Sequence, residues 1–349
     1  MLVKFGHLLL APGLILLAGV LPAAENVNRN SLEPGLVNPG YVEKPAWFKN
    51  SFLDIREDIA EAAAEGRRVM LYFYQDGCPY CARLIQDNFA QRHIVEKTRR
   101  YFDVIAINMW GDREVTDLAG NTVTEKQFAR AARVMFTPTL LLLTEKGQIA
   151  LRINGYFPPH KLEAALDYAG RKMETRLPFR DYLQKVAARP ASGKLHDDPL
   201  FLPPPYDLQK LNRGGKPLLI LFEQKQCRDC DELHTDIFQR PETRRQLRRF
   251  NIVRLDMWSD TPLLDLQGRK TTAKKLARAL NIQYVPGMVF FDGGDEVIRT
   301  EAWLKSFHIQ SVMDYVASGA YRTQPEFQRF ISDRADRLEA QGIHVDIWK

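Results

Sequence analysis

Cysteine is scarce in this chain, four in 349 residues, which excludes the small secreted scaffolds stapled by many disulfides in place of a core. The N-terminal apolar run, residues 8–21, is about 14 residues long and broken by Pro12-Gly13. It falls short of the about 20 residues that a membrane span needs. Charge of one sign is also lacking: 49 Lys and Arg against 43 Asp and Glu leave a net +6, without the concentrated basic patch that would point to nucleic acid. What is present is an ordinary globular composition, 45% hydrophobic and 26% charged, rich enough for a sizeable core. The length suits roughly two domains at about 150 residues each.

The N-terminus has the layout of an export signal. Lys4 and His7 precede the 8–21 run, and the small residues Ala23 and Ala24 follow it. Cleavage after Ala24 is expected, with no membrane span in the mature protein, although Pro22 makes the processing site less than ideal. A protein so exported reaches an oxidising compartment, the periplasm, where cysteine pairs can exist as disulfides.

The mature part repeats itself. Segment 69–81, VMLYFYQDGCPYC, lies over 218–230, LLILFEQKQCRDC, at a shift of 149. Further on, Ile107-Asn-Met-Trp-Gly-Asp112 matches Leu255-Asp-Met-Trp-Ser-Asp260, and Thr137-Pro138 matches Val285-Pro286, both at a shift of 148. Asp167-Tyr168 then matches Asp314-Tyr315 at 147. Two single-residue slips over so long a stretch mean that one ancestral unit was duplicated.

Each copy reads as βαβαββα. In the first, strands are expected at 68–74, 102–109, 139–144 and 149–153, with a threonine-capped helix at 124–133 and a closing helix at 159–168. The second repeats this with strands at 217–222, 252–257, 287–291 and 296–300, and a further helix at 326–340 ends the chain. Apolar spacing turns helical just after Cys78, so each cysteine pair sits at a strand-to-helix junction.

A strand, a C-x-x-C at the mouth of a helix, a later X-Pro opening the next strand, then a hairpin and a final helix resemble the thioredoxin fold. The Met-Trp-x-Asp segment and the Asp-Leu-x-Gly insertion resemble exported members such as SoxW and the catalytic domains of DsbC and DsbG. The resemblance implies an α/β protein with two tandem thioredoxin-like domains, each a central mixed sheet flanked by helices, after a cleaved signal peptide. The expected layout is a signal peptide at 1–24, an extension at 25–51, domain one at 52–187, a linker at 188–205, domain two at 206–335 and a tail at 336–349. It further implies a protein-disulfide oxidoreductase in which Cys78 and Cys227 attack, Cys81 and Cys230 resolve, and Pro138 and Pro286 are the cis-prolines beside them. Its partners would be protein thiol or disulfide clients and an upstream redox partner, with no cofactor. Where thioredoxin buries an acid, six residues ahead of the first cysteine, this chain has Tyr72 and Leu221, so a reductase role identical to thioredoxin's does not follow.

The physics of the motif agrees. Cysteines at i and i+3 in the first turn of a helix share a face at a spacing a disulfide tolerates. The unsatisfied N–H groups there favour the thiolate of the first cysteine, the form that exchange requires. Other readings stay open: structural disulfides in a binding or scaffold protein, or a copper or zinc carrier. Against zinc, 145 residues lie between Cys81 and Cys227, far beyond the usual spacing between paired ligands. Against a staple, so short a loop adds little chain-entropy stabilisation. His234 is read as a helix-face residue, Trp110 and Trp258 as core, and Arg244, Arg245, Arg248 and Arg249 as a solvated helix face. Pro79 and Tyr80 leave Cys78 an apolar approach suited to a protein client, whereas Lys225, Arg228, Asp229 and Asp231 put charge around the second pair.

Overall fold

Strands β1 (Arg68–Tyr74) and β2 (Phe102–Asn108) pair in parallel, and β5 (Thr139–Leu143) and β6 (Ile149–Asn154) extend the sheet antiparallel in the order β2-β1-β5-β6. β1 is apolar and β-rich because both its faces are covered. In this computed structural model, residues 41–186, 191–301 and 304–343 are described. The expected signal peptide and most of the extension, residues 188–190 of the expected linker, the pair Ala302-Trp303 and residues 344–349 lie outside them. No helix among the described residues is long and apolar enough to cross a membrane.

The first copy runs α1 (Ile55–Ala64), β1, α2 (Pro79–Arg83), α3 (Arg92–Tyr101), β2, a short hairpin β3 (Glu114–Thr116) and β4 (Thr122–Thr124), α4 (Glu125–Ala131), β5, β6, α5 (Pro159–Gly170) and α6 (Phe179–Val186). Thr124 caps α4 in a full capping box with Gln127. The sequence reading did not resolve α1, α3, α6 or the hairpin. α3 carries few apolar residues and is held by tertiary contacts, while α1 buries Ile55, Ile59 and Ala62. α1 is fixed by its Asp54 cap, and α3 by Ile94 and Thr98 buried in the core.

The second copy repeats the plan with β7 (Tyr206–Asp207), α7 (Leu208–Asn212), β8 (Leu218–Glu223), α8 (Arg228–Thr235), α9 (Pro241–Leu247), β9 (Asn251–Asp256), β10 (Pro262–Leu264), β11 (Lys270–Thr272), α10 (Ala273–Ala279), β12 (Gly287–Asp292), β13 (Asp295–Thr300), α11 (Ser306–Ala317) and α12 (Phe327–Ala340). Its sheet order, β13-β12-β8-β9, mirrors that of the first copy. The described part of the expected linker is packed down: Phe201 bridges to Ile252, and the Ser192 and His196 side chains bind Asp231.

The closing helices α5 and α11 pack on their own sheets and also meet the other copy. Phe157 and Phe179 of copy one and Tyr284, Phe327 and Phe330 of copy two belong to a single buried cluster, while the opposite face of each sheet has its own satellite core. At about 25 cal/mol per Å² of apolar surface removed from water, such shared burial binds the copies more firmly than a surface contact does.

Candidate functional site

Each C-x-x-C forms a disulfide, Cys78–Cys81 and Cys227–Cys230, with Cα atoms 5.2 Å apart in both. Gly77 takes φ +75°, a left-handed turn that brings the chain from β1 onto α2. Cys78 and Cys227 are the N-cap residues of α2 and α8, and each Sγ accepts the amide N–H three residues on, Cys81 or Cys230, at 3.0 Å. That bond, with the other free amides of the turn, stabilises a thiolate on the first cysteine of each pair. The first cysteine is also the more accessible one, 5% against 3% exposed in copy one and 7% against 2% in copy two.

Both Thr137-Pro138 and Val285-Pro286 are cis. The Thr137 carbonyl oxygen lies 3.3 Å from Cys78 Sγ, placing the cis-proline loop against the sulfur. The two tryptophans are half-buried rather than fully core, and their indole N–H groups donate to Gln75 and Gln224 at 2.7 and 2.8 Å, just ahead of each cysteine turn.

Each site is covered by the other copy. Tyr80, between the first two cysteines, is only 3% exposed; its hydroxyl accepts the Lys305 N–H at 3.2 Å and its ring meets His308 edge-on at 4.7 Å. Gln328 of α12 donates to the Met135 carbonyl and accepts from Gln75, while Arg329 stacks over Trp110. The apolar approach expected at Cys78 is therefore filled by α11 and α12, because an exposed tyrosine face gains more from burial than from water.

The second site is covered in the matching way. Asp229 stands where Tyr80 stands, and Lys161 of α5 stands where His308 stands; the two form an ion pair that Tyr284 joins. Burial alone would raise the Asp229 carboxyl, but the charge and hydrogen bonds of Lys161 and the Tyr284 hydroxyl outweigh it and hold Asp229 below the usual carboxylate range. Arg180 of α6 donates to the Ile282 carbonyl at 3.3 Å, as Gln328 does to Met135. Asp231 pairs with Ser192 and His196, so much of the charge expected to surround the second pair is already matched.

His234 departs from its helix-face reading. It is buried, its Nε2 lies 2.6 Å from Oε1 of buried Glu223, and its ring stacks on His196 at 4.8 Å. Copy two thus holds a buried acid–imidazole pair one turn behind Cys230, where copy one has Tyr74 and Ile85. Arg244 and Arg249 of the presumed solvated arginine face bind Asp198 and Asp314 instead.

Sequence reasoning missed Lys161, Tyr284, Arg180, Glu223 and His308. The repeat carried a signal for two of them. Aligning the copies shows Tyr80 replaced by Asp229 and His308 by Lys161, a paired exchange of an aromatic contact for an ion pair.

Burial, helped by the charge of Arg334, pushes His308 from its ordinary 6.5 down to about 4. The folded protein thus resists protonating it, and between pH 6.5 and 4 the unfolded chain binds a proton that the folded chain does not. Stability from this residue is intact above pH 6.5 and falls by about 3 kcal/mol as pH drops through 4. Unfolding free energies at neutral and acid pH should show that loss in the native chain and much less of it in His308→Gln; equal losses in the two would remove His308 as the cause.

Among known proteins, a family model described as a thioredoxin-like domain matches residues 55–170 and again 204–317. No curated protein matches the chain. Solved structures similar to it include a thioredoxin-fold protein from Helicobacter pylori, 21% identical over 39% of this chain and 92% of its own, with a TM-score of 0.31. A thioredoxin from Thermus thermophilus is 25% identical over 34% of this chain and 83% of its own, with a TM-score of 0.26. A disulphide isomerase from Xylella fastidiosa is 11% identical over 35% and 83%, with a TM-score of 0.23.

Proposed function

Because the chain belongs to the thioredoxin-like domain family, both of its copies matching the family model, we propose that it is an exported, periplasmic thiol-disulfide oxidoreductase that exchanges disulfides with protein thiols. The observation that carries this reading is that in both copies the first cysteine is a helix N-cap whose sulfur accepts an amide N–H, with a cis-proline loop close by in the chain's fold. A purely structural disulfide has no need of a thiolate-stabilising cap.

In the exchange, the Cys78 or Cys227 thiolate attacks a client disulfide, one client thiolate leaves and a mixed disulfide forms. Cys81 or Cys230 then attacks the mixed disulfide, the second client thiolate leaves and the internal disulfide closes. Two electrons pass from the protein pair to the client. An upstream redox partner returns them. The cis-proline loops offer backbone edges on which an extended client segment can pair.

A redox titration of all four cysteines in buffered thiol–disulfide mixtures tests this reading. Two reversible two-electron couples are expected. Pairs that stay oxidised under strong reductant would mark structural staples, and a stoichiometric metal bound by the reduced protein would mark a carrier; either result removes the proposal.

A further inference from the structure

Arg180 belongs to copy one but lies over the site of copy two. It is 8% exposed, and a single guanidinium N–H donates to the Ile282 carbonyl. Among the described residues no carboxylate pairs with it and its other N–H groups have no protein acceptor; burial lowers its pKa, while Asp181 and Arg278 act on it with opposite signs. A largely buried cation without a counter-ion costs free energy unless something supplies the missing charge.

Arg180 lines a cavity of about 80 Å³ together with Cys227, Arg228, Gln184, Gln283 and Val285, the residue before cis-Pro286. Lys161 reaches the same wall, but its charge is taken by Asp229. Arg228 is exposed and, like Arg180, has no ion-pair partner among the described residues. Two arginines without an ion-pair partner among the described residues therefore line the cavity that Cys227 also lines. At the matched positions copy one has the neutral Gln328 and Pro79; its cross-copy arginine, Arg329, lies over Trp110 instead.

Resting on the oxidoreductase reading above, we propose that the cleft beside Cys227, walled by Arg180 of the other copy, binds the carboxylate of an acidic thiol or disulfide and makes copy two selective for such substrates. The cavity has room for a carboxylate-sized group next to the reacting sulfur. Cys227 attacks the sulfur nearest that group, the substrate S–S bond breaks and one substrate thiolate leaves. Cys230 then displaces the second thiolate and closes the Cys227–Cys230 disulfide. The dithiol is oxidised by two electrons, the substrate disulfide is reduced to two thiols, and the dithiol protons pass to these thiols or to solvent. The carboxylate can belong to a small-molecule thiol or to an acidic residue beside a peptide cysteine.

The full chain carrying Cys78→Ser and Cys81→Ser leaves copy two as the reactive pair. Its reduced form is mixed at low salt with dithiodiglycolate, dithiodiethanol and cystamine, which are an anionic, a neutral and a cationic disulfide of similar size. Each rate is divided by that of dithiothreitol with the same disulfide, which removes intrinsic reactivity. The anionic disulfide is expected to be favoured over the neutral one by about tenfold, as one charge-assisted contact predicts, and the cationic one to be slowest. Arg180→Gln should reduce that ratio to near one, and Arg180→Lys should keep most of it. A disulfide-linked peptide with Asp beside its cysteine identifies the source: shared Arg180 dependence places an acidic peptide in the cleft, and dependence confined to dithiodiglycolate places a small molecule there. Equal corrected rates for the three disulfides, or a preference that survives Arg180→Gln, overturns the inference. Failure to react with any of them overturns the oxidoreductase reading for this pair as well.

Discussion

A chain carrying both Cys78→Ser and Cys227→Ser reduces a model disulfide protein no faster than the reductant does alone. The native chain should exceed that background by about tenfold to thirtyfold, since an attacking thiolate held at a helix N-cap replaces a free thiol that is only a few per cent ionised at neutral pH. The two serines keep the fold, because serine caps a helix as well as cysteine sulfur does. They remove the nucleophile and nothing else of comparable size. Order within each pair is tested by the same assay: Cys81→Ser should accumulate a mixed disulfide with the client, and Cys78→Ser should not, because the more buried cysteine resolves what the outer one has captured. Undiminished turnover in the double serine chain, measured against both single variants, would show that the cysteines at the N-caps are not the reacting groups.

The second large effect is expected from Lys161→Met. Lys161 and Asp229 have side chains 11% exposed each, and removing one partner leaves the other charge buried and uncompensated. Loss of one partner of a buried pair costs about 3 to 5 kcal/mol. Tyr284, whose hydroxyl also bonds Asp229, softens the loss but brings no charge. Changing both residues, Lys161→Met with Asp229→Asn, should restore most of the stability, since a pair replaced by well-packed neutral groups is often neutral in its effect. Chemical unfolding of the three variants decides it. A single variant within about 1 kcal/mol of the native chain, or a double variant no better than the single, would mean that the ion pair does not hold the copies together. Because the pair also covers the second site, the single variant should expose the Cys227–Cys230 disulfide to reduction by a bulky phosphine reagent faster than the native chain does.

The sequence by itself determined the repeat, the mixed sheets, the strand-to-helix placement of Cys78 and Cys227 and the X-Pro segments at 138 and 286. Those features rest on local rules: apolar runs for buried strands, a threonine cap for a helix, glycine where the chain turns through positive φ, cysteines three apart on one face. It did not determine what lies over those sites. Tyr80 read as an open apolar approach and His234 as a helix-face residue, while Lys161 and Arg180 carried no reading at all. Tyr80, Lys161 and Arg180 took their meaning from the contacts that α5, α6, α11 and α12 make between the copies, and His234 from Glu223 and His196. Burial, pairing and pKa depend on which groups meet across the fold, and no spacing along the chain encodes a partner more than 60 residues away, as Lys161 and Asp229 are.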